Sequence, residues 1–267
     1  MILRAFVLLI LGCFLVSAPL QVAASECKLV KYSSHENYPP FHWYHKGQFH
    51  GITHDITKKL LASYGIQYQV QPPEPWKRVL LNARRGKVDL VVGLKRVAER
   101  EQYLSFTSAP LLNNPVAVFV KKSKRFPLQG WHSLLGLTGN MNLGDRHGNE
   151  FDSFAKDHLK IQRVKGLSAN FEMLLLNRAD FFITGYYTGQ GYLEVNKLDN
   201  EIVAMKPNLL DGLIHFGFAK SSPCLELKRR FDKDLIRLIN TTEIQKMIKR
   251  NVMLWNNQQN PFLANDK

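Results

Sequence analysis

Short apolar runs alternate along this chain with longer stretches whose apolar residues recur at helical spacing. Val88 to Val92 is almost wholly apolar and follows a helix-stopping glycine, Gly86. That pattern predicts a strand buried on both faces, as in parallel sheets, ending at Gly93. Ahead of it, Ile52, Ile56, Leu60 and Tyr64 predict a helix stopped by Gly65, and Tyr68 to Val70 a strand. Pro75-Trp76 opens a second helix that turns Val79, Leu80 and Ala83 inward. Strand, helix and strand in this order form a parallel unit with a right-handed crossover. Lys28 to Ser33 predicts the first strand of the series, and Asn113 to Lys122 holds a later one.

The second half repeats the alternation. Ile161 to Val164 predicts a strand, Ser168 a helix cap, Phe171, Leu174 and Leu175 a helix face, and Phe181 to Ile183 another strand. Leu80 to Gly93 and Leu175 to Gly185 share one device: a helix ends, an Asp precedes an apolar strand, and a glycine closes it. Two such units imply two similar α/β lobes, with Asp89 and Asp180 as strand-entry residues rather than catalytic ones. The charge run Lys121 to Arg125 breaks the pattern, and a crossing between domains is placed near it. Leu213 to Ala219 reads as a returning strand, and Ser222-Pro223 caps a helix buried through Leu227, Phe231, Leu235 and Leu238. Thr242 starts a last helix carrying Ile244, Met247 and Ile248.

The N-terminus changes the picture of where the chain works. One cation, Arg4, an apolar run from Ala5 to Val16 and the exit Val22-Ala23-Ala24 read as a secretory signal over residues 1–24. Export to the periplasm is therefore expected. Without that segment the formal charge of +14 falls by one, to +13. Such an excess favours anionic partners, a small acid or an anionic surface, and for an exported protein it does not point to nucleic acid. Cys27 and Cys224 are the cysteines beyond the signal; in an oxidising compartment they are expected to form one disulfide, two buried thiols being the alternative.

Candidate chemistry concentrates at strand ends. In open α/β sheets ligands sit beyond the carboxyl ends of strands. Gly93 delivers Lys95, Arg96 and Arg100 to such a place, and the planar fork of Arg100 suits a carboxylate. A solvated basic turn is the competing reading. Pro39-Pro40 stiffens the loop presenting Tyr38 and Phe41, either as a stacking wall or as aromatic packing on the core. The loop Gly144-Asp145-Arg146-His147-Gly148 leads into a helix whose first amides attract anions. It lacks the Gly-Lys-Ser/Thr of a phosphate loop. His35, His42, His45, His50 and His54 have spacings that could serve zinc, but Gly47 and Gly51 interrupt any aligning helix. A solvated hairpin without metal is expected there, and a surface place for His147.

Tyr38-Pro39-Pro40-Phe41, the Gly51-to-Asp55 turn, Gly86-Lys87-Val88-Asp89, Glu99-Arg100 and Phe106-Thr107 stand in the order found in family 3 periplasmic solute-binding proteins. These are receptors of polar amino-acid ABC importers. Pro75-Trp76-Lys77-Arg78 resembles a subgroup of that family. The resemblance implies an α/β, two-lobed type II periplasmic-binding-protein fold, each lobe a mainly parallel sheet flanked by helices, with hinge strands near 111–116 and 211–216. It places lobe 1 at 25–113 plus 214–267 and lobe 2 at 114–213. It also implies that Tyr38 stacks on the ligand, that Arg100 takes its carboxylate, and that residues 144–148 contact it. Trp76, Gly93 and Tyr186 join the expected site.

The sequence departs from the family in two places. Gly185 stands where amino-acid-binding members usually carry an acid for the ammonium, and Leu94, Lys95 and Arg96 replace small hydroxyl residues. Either Asp145 substitutes or the ligand is an organic acid. The expected function is capture of a small anionic or zwitterionic ligand by a monomer that docks on permease subunits, without cofactor or catalysis. A dehydratase or lyase on the same scaffold and a ligand-presenting sensor subunit are the alternatives.

Overall fold

The computed structural model describes residues 27–259, so the expected signal segment lies outside the described residues. The strands are β1 (Leu29–Ser33), β2 (Asn37–Tyr38), β3 (His42–His45), β4 (Gln48–His50), β5 (Gln67–Val70), β6 (Leu90–Lys95), β7 (Leu104–Phe106), β8 (Leu112–Asn113), β9 (Val116–Lys121), β10 (Thr138–Asn142), β11 (Lys160–Val164), β12 (Phe181–Gly185), β13 (Ile202–Ala204) and β14 (Leu213–Ala219). The helices are α1 (Ile52–Ser63), α2 (Trp76–Arg84), α3 (Ala98–Glu101), α4 (Asn149–His158), α5 (Leu167–Leu175), α6 (Tyr186–Val195), α7 (Lys228–Ile239) and α8 (Thr242–Gln259).

One sheet runs β5-β1-β6-β14-β7, with β8 also paired to β14; β1 lies parallel to β5 and β6, and β14 antiparallel to β6. Val30, Tyr32, Leu90 and Phe216 pack on one side against Ile56 of α1 and Phe231 of α7. On the other side Val91 and Leu94 meet Val79 and Ala83 of α2. A second sheet runs β11-β10-β12-β9-β13. Val118, Met141 and Ile183 face Phe151 of α4, while Phe119 and Phe182 face Phe171 of α5 and Leu193 of α6. Both sheets are thus covered twice, which is why their central strands read as unbroken apolar runs.

Asp89 and Asp180 perform the same task in the two sheets. Asp89 Oδ2 accepts the Lys31 amide at 2.8 Å and Oδ1 accepts the Ser222 hydroxyl, while Asp180 Oδ2 accepts the Thr138 amide at 3.0 Å. The chain leaves the first sheet after β8 and returns at β14. Its two crossings run side by side, tied by the amides of Asn114 and Val116 to the carbonyls of Gly212 and Leu210. Cys27 and Cys224 form a disulfide with their Cα atoms 4.9 Å apart.

Two local expectations are corrected. Gly93 does not end its strand: β6 continues to Lys95 across a register shift opposite His215 and Phe216, and Gly93 takes φ 72° there. This is a bulge, and it re-aims the strand's last residues. Ser168 is not the cap of α5; Gly166 holds that position, and the Ser168 hydroxyl donates to Glu172 one turn on.

Candidate functional site

The carboxyl ends of β6 and β10 and the start of α4 meet between the two sheets. A cavity there opens about 40 Å³ to the centres of water-sized molecules. That is roughly three times what one water needs, so the space suits a compact ligand. His35, Tyr38, Trp76, Gly93, Leu94, Lys95, Arg100, Asp145, Arg146, His147, Gly185 and Ile214 line it.

Arg100 is 3% exposed. One guanidinium nitrogen donates to the Lys95 carbonyl at 2.9 Å and the other to the Gly144 carbonyl of the opposite lobe at 3.3 Å. Its Cζ lies over the Trp76 ring, 5.3 Å from the centroid. Two carbonyls and an aromatic face hold the fork still, yet no carboxylate lies within ion-pair distance among the described residues. The same holds for Lys95, buried like Arg100, whose ammonium donates to His147 Nδ1 at 2.9 Å. Burial pushes the Lys95 ammonium down to about 8, against the opposing fields of Asp145 and Asp152. His147 is held well below the ordinary imidazole range by burial and by the Lys95 charge. With Nδ1 accepting, its proton sits on Nε2, a buried atom without a hydrogen-bond partner among the described residues.

Among the described residues Asp145 is the one carboxylate that lines the cavity. Its Oδ1 accepts from the Asn142 amide at 3.2 Å, and that amide also lies 3.2 Å from His35 Nε2. Arg146 lines the rim and pairs with Glu99 across the lobes at 3.0 Å. The Asp152 carboxylate accepts the amides of His147 and Gly148, fixing the loop that carries this cluster.

Tyr38 presents its ring to the cavity and its hydroxyl, 2.9 Å from Asn114 Nδ2, to the hinge. Asn114 is fully buried; its amide also donates to Thr188 Oγ1, and its oxygen accepts the Tyr187 amide. A Cβ at Gly185 would collide with that Asn114 amide. The space beside Gly185 is therefore filled from the side by Asn114, at the crossing between the lobes.

Several expected site residues stand elsewhere. Phe41 is buried behind Tyr38, the rings stacked 5.3 Å apart, and belongs to the first sheet's core. Arg96 is exposed and paired with Glu101, outside the cavity. Tyr186 starts α6 beneath the Lys206 ammonium, 4.3 Å from the ring centroid. His147 is not on the surface but 5% exposed in the cavity wall. The histidine hairpin is only partly solvated. His42 and His54 are fully buried, held by Thr53 Oγ1 at 3.2 Å and by Ser34 Oγ at 3.1 Å. Among the described residues no group of three or more His, Cys, Asp or Glu side chains is placed to hold a metal ion. Sequence reasoning missed His35, Asn114 and Asn142 as site residues. The Asn114-Pro115 step at a chain crossing was a signal for one of them, because a buried amide there must find partners.

A cavity whose charged side chains are mostly cationic, set between two lobes joined by paired crossings, defines a ligand-binding cleft of the Venus-flytrap class. Residues 30–253 match the bacterial extracellular solute-binding proteins, family 3, and the chain belongs to that family. A sequence comparison with curated proteins finds no match. Among solved structures, an amino acid ABC transporter substrate-binding protein, AbpA, from Streptococcus pneumoniae bound to L-arginine is similar at a TM-score of 0.72 and 20% identity. That match covers 85% of this chain and 96% of AbpA. A histidine kinase sensor domain with similarity to periplasmic binding proteins matches at 0.71 and 17% identity, over 84% and 95% of the two chains. The ancestral amino acid-binding protein AncCDT-1, a precursor of cyclohexadienyl dehydratase, matches at 0.68 and 20% identity, over 84% and 94%. At these identities the likeness is one of fold.

Proposed function

We propose that this protein is an exported receptor that captures a small carboxylate-bearing ligand between its lobes and delivers it to an ABC importer. One observation carries the reading: two cations, Arg100 and Lys95, are buried in one cavity with no carboxylate at ion-pair distance among the described residues. Buried charges in proteins are paired or coordinated, because an uncompensated one is heavily penalised. A ligand acid would complete the arrangement, with Arg100 offering its remaining N–H groups as a fork. Tyr38 and Trp76 supply aromatic walls, and the hinge crossings allow closure over the bound molecule. Family membership supports delivery to permease subunits, and capture of those subunits with the ligand-loaded protein tests it.

A panel of amino acids, dicarboxylates, sugar acids and peptides in a thermal-shift assay identifies the ligand. One present at about 100 times its Kd adds about 2.7 kcal/mol of stability. Arg100→Ala is expected to lose at least tenfold in calorimetric affinity while keeping its far-ultraviolet circular dichroism. Binding within threefold of the parent protein would sink the assignment.

A second reading, an enzyme on this scaffold, draws on the Lys95–His147 pair. A neutral imidazole beside a lysine of lowered pKa is equipped for proton transfer. Incubating identified ligands with protein and following them by NMR distinguishes the readings, since a receptor returns them unchanged.

A further inference from the structure

The charges of the cavity do not balance for an ordinary neutral amino acid. Its carboxylate would satisfy Arg100 and its ammonium Asp145, and Lys95 would remain buried with a histidine nitrogen as its acceptor. Lys95 ends β6 two residues after the bulge at Gly93, and it lines the cavity together with His147, the acceptor of its ammonium. Among the described residues the only carboxylate lining the cavity, that of Asp145, is engaged by Asn142 and forms no ion pair with Lys95.

We infer that the ligand carries a second carboxylate and that Lys95, with His147 beside it, is the subsite that receives it. The inference rests on the proposed binding role of the cavity and narrows its substrate class to compact dicarboxylates, with or without an amino group. His147 acts as the positioning partner: its Nδ1 accepts one ammonium proton and aims the others, and its Nε2–H is a further buried donor. Asp145 then separates two subclasses. An amino dicarboxylate places its ammonium there, whereas a plain dicarboxylate leaves that carboxylate to Asn142.

The test uses two matched pairs that differ by one charge, L-glutamate against L-glutamine and succinate against succinamate, titrated calorimetrically into the full secreted chain. At least one diacid is expected to bind ten times or more tighter than its monoamide. In Lys95→Met that preference should fall to threefold or less. Lys95→Gln serves as a second variant if the first fails to fold. Asp145→Asn is expected to weaken L-glutamate relative to succinate if the ligand is an amino dicarboxylate. A parent protein that binds the monoamides as tightly as the diacids, or a Lys95 variant that keeps the preference, overturns the subsite. Arg100→Ala distinguishes the two levels. Loss of all acids in Arg100→Ala with no charge preference in the parent protein refutes the Lys95 subsite and leaves the receptor reading standing. No binding of any acid to the parent protein refutes both.

Discussion

A lysine buried to 9% exposure without a carboxylate is costly, and that cost sets a direction with pH. The folded-state Lys95 ammonium is lowered to about 8 from 10.5 by desolvation, with Arg100 adding to the lowering and Asp145 and Asp152 opposing it. His147 faces it from the loop ahead of α4. Between these two values the unfolded chain binds more protons than the folded one, so the Lys95 contribution to stability rises with pH across that window. Below about 8 its penalty is fully present. Ligand-free protein is therefore expected to gain stability from pH 7 toward 9, and Lys95→Met to be more stable than its parent at pH 7, by a few kcal/mol at most. Chemical denaturation at pH 7 and 9 measures both, and a Lys95→Met protein with an unchanged midpoint and no loss of the pH slope contradicts the buried charge. Affinity for an anion should run the other way, weakening as pH rises above 8, because the anion selects the charged lysine.

The element that matters most is β6, whose bulge decides where the cations go. At φ 72° Gly93 occupies the left-handed region, and a Cβ there would lie 2.5 Å from Cε1 and 2.6 Å from Nδ1 of the His42 ring. Both effects act together, backbone strain and a clash with a buried ring that Thr53 holds in place. Gly93→Ala is expected to lose about 2–4 kcal/mol in denaturant unfolding. A loss below 0.5 kcal/mol would show that His42 yields and that the bulge is not pinned. The strand itself was legible from Val88 to Val92 because an all-apolar run needs cover on both faces. Its extension to Lys95 was not, because a glycine in a strand reads equally as a stop and as a bulge. Asp89 and Asp180 were legible as strand-entry residues for the same reason that they recur: each sheet needs an acceptor for a neighbouring strand's free amide.

At the scale of the whole molecule, the two lobes meet through polar contacts rather than a shared apolar core. Arg100 to Gly144, Lys95 to His147, Tyr38 to Asn114, His35 to Asn142 and Glu99 to Arg146 all cross the cleft. Such an interface can open and close at little cost in buried apolar area, which a capture device requires. The disulfide lies outside it. Cys27 and Cys224 are 197 positions apart, so their bond encloses the entire second sheet within one loop. By the chain-entropy model, loss of a crosslink of that span costs about 5 kcal/mol. Replacing both cysteines by serine is expected to lower the unfolding midpoint accordingly and to leave ligand affinity within twofold. A change in affinity beyond that range would show that the bond shapes the cleft as well as the first lobe.

Periodicity, glycine and proline placement and the repeated Asp-strand-Gly device determined the alternation of elements and the presence of two similar units, because each depends on residues near one another in the chain. Arg100 and the loop from Gly144 to Gly148 could also be singled out locally, from side-chain chemistry at element ends. Tertiary structure alone decided that Lys95 and His147 face each other across 52 positions, that Asn114 fills the space beside Gly185, and that Arg96 and Phe41 turn away. Those outcomes depend on how two sheets close on one another and which side chains lose their water when they do, and no local pattern encodes that.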